Sequence, residues 1–588
     1  MTSRARLLDV AIVSVSLATV AGSLEAGIAA FKRYALGRIV FLSPDFWWQT
    51  PLAFLIVAVP VAVLGAFLLK LIRKPPSLAF VVGTSAGLLA FVMLLPYTAI
   101  GWWAYAILSA GFGRQVSKAL ARSDNQRILA LVRRAGMVAA CVIGVATAAT
   151  TGSRLVAERR ATSTLPAPRP EAPNVVIVVL DTVRAANLSL QGYTRPTTPR
   201  LESLALSSTV FDQAYSTAPW TLPSHASLFT GLGAGSTRTS WLRPLRDDVP
   251  TLAEVLATNG YATGGFVANL LYTSYESGVN RGFAHYDDYR FSWPMVLAHT
   301  PLWKLDLKSS VPEARSFGDA LARLHTTRIA TTGLSPADDF RAADRIVGSF
   351  LDWQSTTGGR PFFAFLNLFD AHGPHRAPTG YLERFPGGRI IDKYDAAIAW
   401  MDETVGRLVD ELARRRVLDK TILIVTSDHG ELFGEHGLKG HANSMYIPLL
   451  HVPLLIRFPA GVPAGQRVAT VVSLRDVAAT VVELAGLPGS ALEGQSLAST
   501  WREPGVAVHG DVMAELEKGR NVDPAFLNSN GPMLSRVGAR LHYIVNADGS
   551  EEVFDYRSDP AETRNLVGTG DPGLQKEIAS LRQGLPRR

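Results

Sequence analysis

The chain has 588 residues, 47% of them hydrophobic, with a mean hydropathy of +0.15 and a net charge of +8. Residues 1–151 hold 14 Lys and Arg against 4 Asp and Glu, a charge of +10, which leaves −2 on the remainder and removes the basis for a nucleic-acid-binding reading. The single cysteine, Cys141, excludes an intrachain disulfide and a thiolate metal cluster.

A membrane-spanning helix needs about 20 mostly apolar residues. Candidates occur at roughly 7–30, 48–69, 78–97, 98–113 and 135–152, so residues 1–152 are predicted as a transmembrane region of about five helices. The fourth is short enough to form a tight hairpin with the third. The first is long and carries Asp9 near its start, so it reads as a retained span rather than a cleaved signal peptide. The basic stretches KLIRK (70–74) and RQVSKALARSDNQRILALVRR (114–134) belong on the cytoplasmic side. Two spans separate them, so the sides agree, and the fifth span carries the rest of the chain outward. One stretch does not fit: FKRYALGR, at 31–38, is basic and would lie outside. Glu25 reads as an interfacial carboxylate. Residues 153–172, rich in Pro, Ala and Arg without an apolar period, read as a linker.

NVVIVVLD (174–181) is a continuous β-branched run, the pattern of a strand buried on both faces of a parallel sheet. It ends in Asp181. A second run, PFFAFLNLFDAHGPH (361–375), ends near Asp370 and His372. A third, TILIVTSDHGE (421–431), ends in Asp428 and His429. Further strands are predicted at 261–269 and 451–459. Between them, Tyr394, Ile398, Met401, Val405, Leu408 and Leu412 recur at helical spacing. Strands alternating with helices imply a mostly parallel α/β sheet, whose site lies beyond the carboxyl ends of its strands. A lone Asp after a strand is usually a turn or cap. Three strand ends bearing acids and histidines point instead to a divalent-metal site of hard oxygens and one imidazole.

PWTLPSHASLFTG (219–231) reads as a short helix with Pro223 in its first turn and Gly231 closing it. Thr221 would stand at the amino end, where backbone N–H groups and the helix dipole stabilise an alkoxide. Alone, it would be a helix cap. Beside the three strand ends, it becomes the candidate nucleophile.

Taken together, these segments resemble the sulfatase branch of the alkaline phosphatase superfamily over roughly 173–570. NVVIVVLDTVRAANLSLQGYTRPTTPRLESLA is similar to the family's opening strand, and WTLPSHASLFTG occupies the nucleophile segment. FFAFLNLFDAHGPHRAP, ILIVTSDHGELFGEHG, KGHANSMYIPLLHVPLLIRFP and EEVFDYRSDPAETRNL follow in the family's order. Each piece is weak alone; six in sequence are specific. The resemblance implies an alkaline-phosphatase-like α/β domain with a mostly parallel central sheet between helices. It places the catalytic part at 173–460, with a smaller antiparallel subdomain in 461–588. It implies a metal held by Asp181, Asp428, His429 and Thr221, with Thr221 as nucleophile. His372, Lys439 and His441 would contact the substrate anion or protonate the leaving group. His225 stands where sulfatases carry an arginine, and either steadies the nucleophile or is structural. His375 and His436 read as outlying or surface residues.

The departures carry information. Sulfatases oxidise a Cys or Ser at the nucleophile position to an aldehyde; threonine, with a methyl on its β-carbon, could give only a ketone. Cys141 lies in a membrane segment and Ser224 is offset by three residues. Threonine is the nucleophile in phosphate-ester branches of the superfamily. Thr182 follows Asp181 where calcium sulfatases have a second aspartate, which favours one Zn or Mn ion over Ca. Ala186–Asn187, Ile447 and Ala479 also depart from the family pattern. The leading expectation is a membrane-anchored enzyme that cleaves or transfers phosphate esters, with the catalytic domain outside the cytoplasm and a lipid-linked or envelope-glycan substrate. The alternatives are a true sulfatase and a non-catalytic envelope binding protein. Residues 286–340 have no family pattern and suggest a lid or a membrane-touching surface.

Overall fold

A computed structural model describes residues 7–71, 77–94, 101–300, 341–488, 492–503, 505–520 and 522–583. The chain divides into two compact units, residues 1–157 with 289–339, and residues 158–288 with 340–588.

The first unit contains α1 (Leu7–Ala30), α2 (Phe46–Leu71), α3 (Leu78–Leu94), α4 (Trp102–Leu120) and most of α5 (Asn125–Ser163). α1, α2 and α5 are long and apolar enough to cross a membrane; α3 is apolar but shorter. α3 and α4 form the tight pair expected from sequence, and glycines make the close approach possible. A Cβ on Gly83 would collide with the Gly113 carbonyl, and one on Gly113 with the Gly83 carbonyl. α5 continues to Ser163, so the first half of the predicted linker is helical. Ala, Arg and Glu in that half favour helix, and prolines at 166, 168 and 170 prevent its extension. Of the unassigned segment, 286–288 belong to the second unit, and 289–300 belong with these helices. Helix Trp293–Ala298 is capped by Ser292, whose Oγ accepts the Met295 N–H at 3.2 Å. Just before it, the Phe291 ring stacks on Trp48 at 5.8 Å. The remainder of that segment, 301–340, lies outside the described residues.

The second unit is built on a nine-stranded sheet. Its strands include β1 (Asn174–Leu180), β2 (Thr209–Tyr215), β3 (Ala262–Val267), β4 (His285–Asp287), β5 (Phe362–Leu368) and β6 (Thr421–Thr426). The short strands β7 (Leu432–Phe433) and β8 (Lys439–Gly440) form a separate ribbon, and the main sheet resumes with β9 (His451–Arg457), β10 (Gln466–Val468) and β11 (Val472–Ser473). The order is β10-β2-β9-β6-β1-β5-β3-β4, with β11 on β2. β6, β1, β5, β3 and β4 run parallel, and β9 is antiparallel to both β6 and β2. Val175 to Leu180 are buried throughout, because β1 lies mid-sheet with helices on both faces. Helix Ile390–Arg414 lays Tyr394, Ile398, Met401, Val405, Leu408 and Leu412 onto the sheet, as their spacing predicts. It also caps α6 (Pro199–Ala205), since the Asp402 carboxylate accepts the N–H groups of Arg200 and Leu201, both at 2.9 Å.

A four-stranded antiparallel sheet closes the unit, with β12 (Asp511–Leu516), β13 (Met533–Gly538), β14 (Leu541–Val545) and β15 (Glu551–Asp555) in that order. Leu574, Ile578 and Leu581 of the last helix cover it.

Candidate active site

Four parallel strands that are neighbours in the sheet, β6, β1, β5 and β3, deliver polar groups to one edge. Asp181 follows β1, and Asn269 lies two residues beyond β3. Asn367 is within β5, with His372 just after it, and Asp428 and His429 follow β6. Asp181, Asp428 and His429 are fully buried, and one ligand atom of each lies within 4.8 Å of the others.

Hydrogen bonds fix each ligand and leave one atom over. Asp181 Oδ2 accepts from the amides of Asn269 (2.9 Å) and Asn367 (3.0 Å), while Oδ1 has no partner. Asp428 Oδ1 accepts the N–H groups of Thr182 (3.1 Å) and His429 (2.9 Å), while Oδ2 has none. Thr182 reaches Asp428 because its backbone is left-handed, φ 63°. His429 Nδ1 lies 2.9 Å from the Gly430 carbonyl, which places the proton there and leaves Nε2 bare. Burial pushes the Asp181 carboxyl up and the Asp428 carboxyl well up, the latter helped by its Asp181 neighbour; burial also drives His429 well down. Two buried carboxylates and a neutral imidazole with bare acceptor atoms are the donor set of a divalent cation.

Thr221 opens α7 (Thr221–Thr230), the helix predicted from PWTLPSHASLFTG, and Gly231 ends it at φ 77°. The Thr221 hydroxyl lies 3.4 Å from His429 Nε2 and 3.3 Å from the Asn269 amide. One turn along, His225 Nδ1 lies 2.9 Å from the Thr221 carbonyl, and its Nε2 has no partner. Burial lowers the His225 pKa, which favours a neutral ring beside Thr221. The Ser224 hydroxyl donates to the Asp428 carbonyl at 2.7 Å and is thereby occupied.

A second group of imidazoles adjoins this cluster. The His441 and His429 ring centres are 4.6 Å apart, and those of His372 and His441 5.0 Å. Burial works against a charged His441, but Glu431, whose Oε2 is 3.2 Å from His441 Nδ1, outweighs it and raises the pKa. His372 moves the other way, to about 4, through burial and then the charge of His441. Of the pair, His441 is therefore the more readily protonated and His372 the less. Lys439 is exposed on the β7–β8 ribbon, two residues from His441. His375 turns its Nδ1 to the Ala371 carbonyl, and the exposed His436 stacks on Tyr446.

Several contributors were absent from the sequence reading. Asn367 is a polar residue inside an otherwise apolar buried strand, and Glu431 completes DHGE; both were visible signals. Asn269 ends the predicted strand at 261–269 and was as accessible. Asn528 had no such signal. Its amide donates to the Ala442 carbonyl at 3.1 Å, while Ala442 itself holds φ 61° beside His441. Glu562, buried against His542, likewise accepts the Ile447 N–H at 2.7 Å, so the C-terminal sheet steadies the His441 loop.

The sulfatase family model matches residues 173–487, more than half of the chain. The chain belongs to the sulfatase family. Among similar proteins, arylsulfatase K of Bos taurus is 25% identical over 462 residues, 68% of this chain and 79% of the relative. An uncharacterized sulfatase of Escherichia coli strain K12, YidJ, is 24% identical over 442 residues, 67% of this chain and 83% of its own length. In fold, the phosphonate monoester hydrolase of Agrobacterium radiobacter is similar at a TM-score of 0.53 and 20% identity, covering 70% of this chain and 95% of that one. The catalytic unit is thus that of an ester hydrolase in a family that uses a divalent metal ion, and the Asp181–Asp428–His429 cluster can hold one.

Proposed function

We propose that this chain is a multi-pass membrane enzyme that cleaves or transfers phosphate esters through Thr221. In this reading residues 1–152 span the membrane, and 173–460 with 461–588 form the catalytic domain outside the cytoplasm. One observation carries the chemistry: the hydroxyl facing the metal ligands belongs to a threonine, which cannot become the sulfatase aldehyde, while Ser224 is bonded elsewhere.

Asp181, Asp428 and His429, with the Thr221 oxygen, would hold one divalent ion; a Zn or Mn ion suits the set better than Ca. When bound, it lowers the pKa of the Thr221 hydroxyl and offsets charge on the transferring group. Thr221 Oγ, its proton given up to solvent, attacks phosphorus as the bond to the leaving oxygen breaks, and charge grows on the phosphoryl oxygens. The N–H groups at the head of α7 and the Asn269 amide face that charge. His441, held protonated by Glu431, gives its proton to the leaving alkoxide. Neutral His372 and exposed Lys439 line the approach for the substrate anion. Water or an acceptor alcohol then displaces Thr221 and restores the free hydroxyl. Location suggests a lipid-linked or envelope-glycan substrate. On the same fold, one solved relative is in complex with D-glucosamine-2-N,6-O-disulfate.

Sulfate-ester hydrolysis is the second reading, favoured by the names of the curated relatives. Purified full-length protein, metal content measured, separates the two on bis-p-nitrophenyl phosphate and p-nitrophenyl sulfate. The expected result is preference for the phosphodiester with one Zn or Mn per chain. Preference for the sulfate would replace this reading by the second.

A further inference from the structure

One polar cluster of the C-terminal sheet takes no part in the chemistry at Thr221. Ser535 of β13, His542 of β14 and Glu562 are buried, the first two with no exposed surface. The Ser535 hydroxyl lies 2.6 Å from His542 Nε2, and His542 Nδ1 meets the Glu562 carboxyl. A hydroxyl, an imidazole and a carboxyl in this order activate the serine nucleophile of many hydrolases. Here burial denies a substrate access to the hydroxyl, so the cluster is not a second active site.

Its other end leads to the metal-binding candidates. Glu562 Oε2 accepts the Ile447 N–H at 2.7 Å, so both carboxyl oxygens are bonded, as a carboxyl buried this deeply requires. Ile447 opens the short helix Ile447–Leu450, whose Leu449 carbonyl accepts the Gly430 N–H at 2.9 Å. The approach is close: a Cβ on Gly430 would collide with the Pro448 carbonyl. Gly430 in turn presents the carbonyl that lies 2.9 Å from His429 Nδ1. Glu562 holds φ 54°, and left-handed residues other than glycine persist where their surroundings over-determine them.

We propose that Ser535, His542 and Glu562 form a positioning relay, which locks 447–450 against Gly430 and thereby sets the His429 ring in the pose that lets it bind a divalent cation with Asp181 and Asp428. The proposal rests on that cluster as the metal site and is independent of whether the ester is a phosphate or a sulfate. An imidazole ligand binds through its bare nitrogen, and the group bonded to the other nitrogen sets its tautomer and orientation. Here that group is the Gly430 carbonyl, and the relay holds Gly430 from behind. Apolar burial alone would keep 447–450 nearby without fixing its orientation, because burial is non-directional; the bond from the Ile447 N–H to Glu562 has a direction.

The test uses the full chain, stripped of metal and titrated with Zn²⁺ alone. Glu562→Ala should weaken zinc binding about tenfold, the low end of what a residue behind a metal ligand ordinarily contributes, and should lower kcat on a soluble ester with KM unchanged. The milder Glu562→Gln keeps an acceptor for the Ile447 N–H and should bring both back towards the parent. Ser535→Ala added to Glu562→Ala should cost nothing more, because the three side chains act as one unit. Val553→Ala is the control for folding: Val553 is buried in the core of the same sheet, so its truncation should lower the thermal midpoint and leave zinc affinity and kcat as in the parent. Zinc affinity unchanged in Glu562→Ala, or reduced equally in Val553→Ala, would overturn the relay. Covalent capture of Ser535 by a fluorophosphonate would overturn it as well, by making that serine a nucleophile. No zinc binding by the parent, or binding that survives Asp428→Ala, would instead refute the metal reading of the cluster, and the relay with it.

Discussion

At the scale of single residues, the site depends on side chains that hold others in place. The Asn269 amide joins Asp181 to Thr221, and in the proposed reaction its N–H would face the charge that grows on the transferred group. Asn269→Ala should lower kcat by about 10²–10³, the usual cost of one preorganised donor; single-turnover kinetics would measure it, and a change confined to KM would assign Asn269 to substrate binding alone. Asp370 titrates apart from the metal ligands. Burial raises its pKa from 3.8 to about 7, so the folded chain keeps a proton that the unfolded chain loses above pH 4. That stabilisation is complete below the unfolded pKa and is lost as pH rises through 7, on the order of 4 kcal/mol in all. Thermal midpoints should therefore fall between pH 5.5 and 8.5 in the parent more than in Asp370→Asn. Parallel slopes would show that Asp370 stays ionised. The Asp181–Asp428–His429 cluster was legible because each member follows a buried run. Asn528 and Glu562 were not, since their partners at 442 and 447 lie more than 80 residues away in sequence.

At the scale of elements, β1, β5 and β6 were legible from their continuous β-branched and aromatic runs. The antiparallel direction of β9 was not, because a buried strand has the same composition in either direction. α5 was underestimated for a related reason: apolar content marks where a membrane helix can lie, whereas helix propensity carries it on to Ser163. α7 shows how tightly an element can be fixed at its ends. Gly231 adopts φ 77°, and a Cβ there would collide with the Glu493 carbonyl. Gly231→Ala should cost about 2–5 kcal/mol from backbone strain and overlap together, read as a drop in the urea midpoint. An unchanged midpoint would mean that the 492–493 segment yields freely.

At the scale of the whole molecule, two units of different chemistry share one chain. One is apolar and basic, the other carries buried acids at strand ends. The sequence already divided them by charge, and segment order pointed to the family; the return of 289–300 to the helical unit could not be read, since nothing local distinguishes it from a loop of the catalytic domain. The chemistry at Thr221 is tested most directly by trapping. Full-length protein quenched during turnover of a phosphodiester, then digested and sequenced by mass spectrometry, should carry a phosphoryl group on Thr221, absent from Thr221→Ala. Steady turnover with Thr221 unmodified, or undiminished turnover by Thr221→Ala, would contradict a threonine nucleophile.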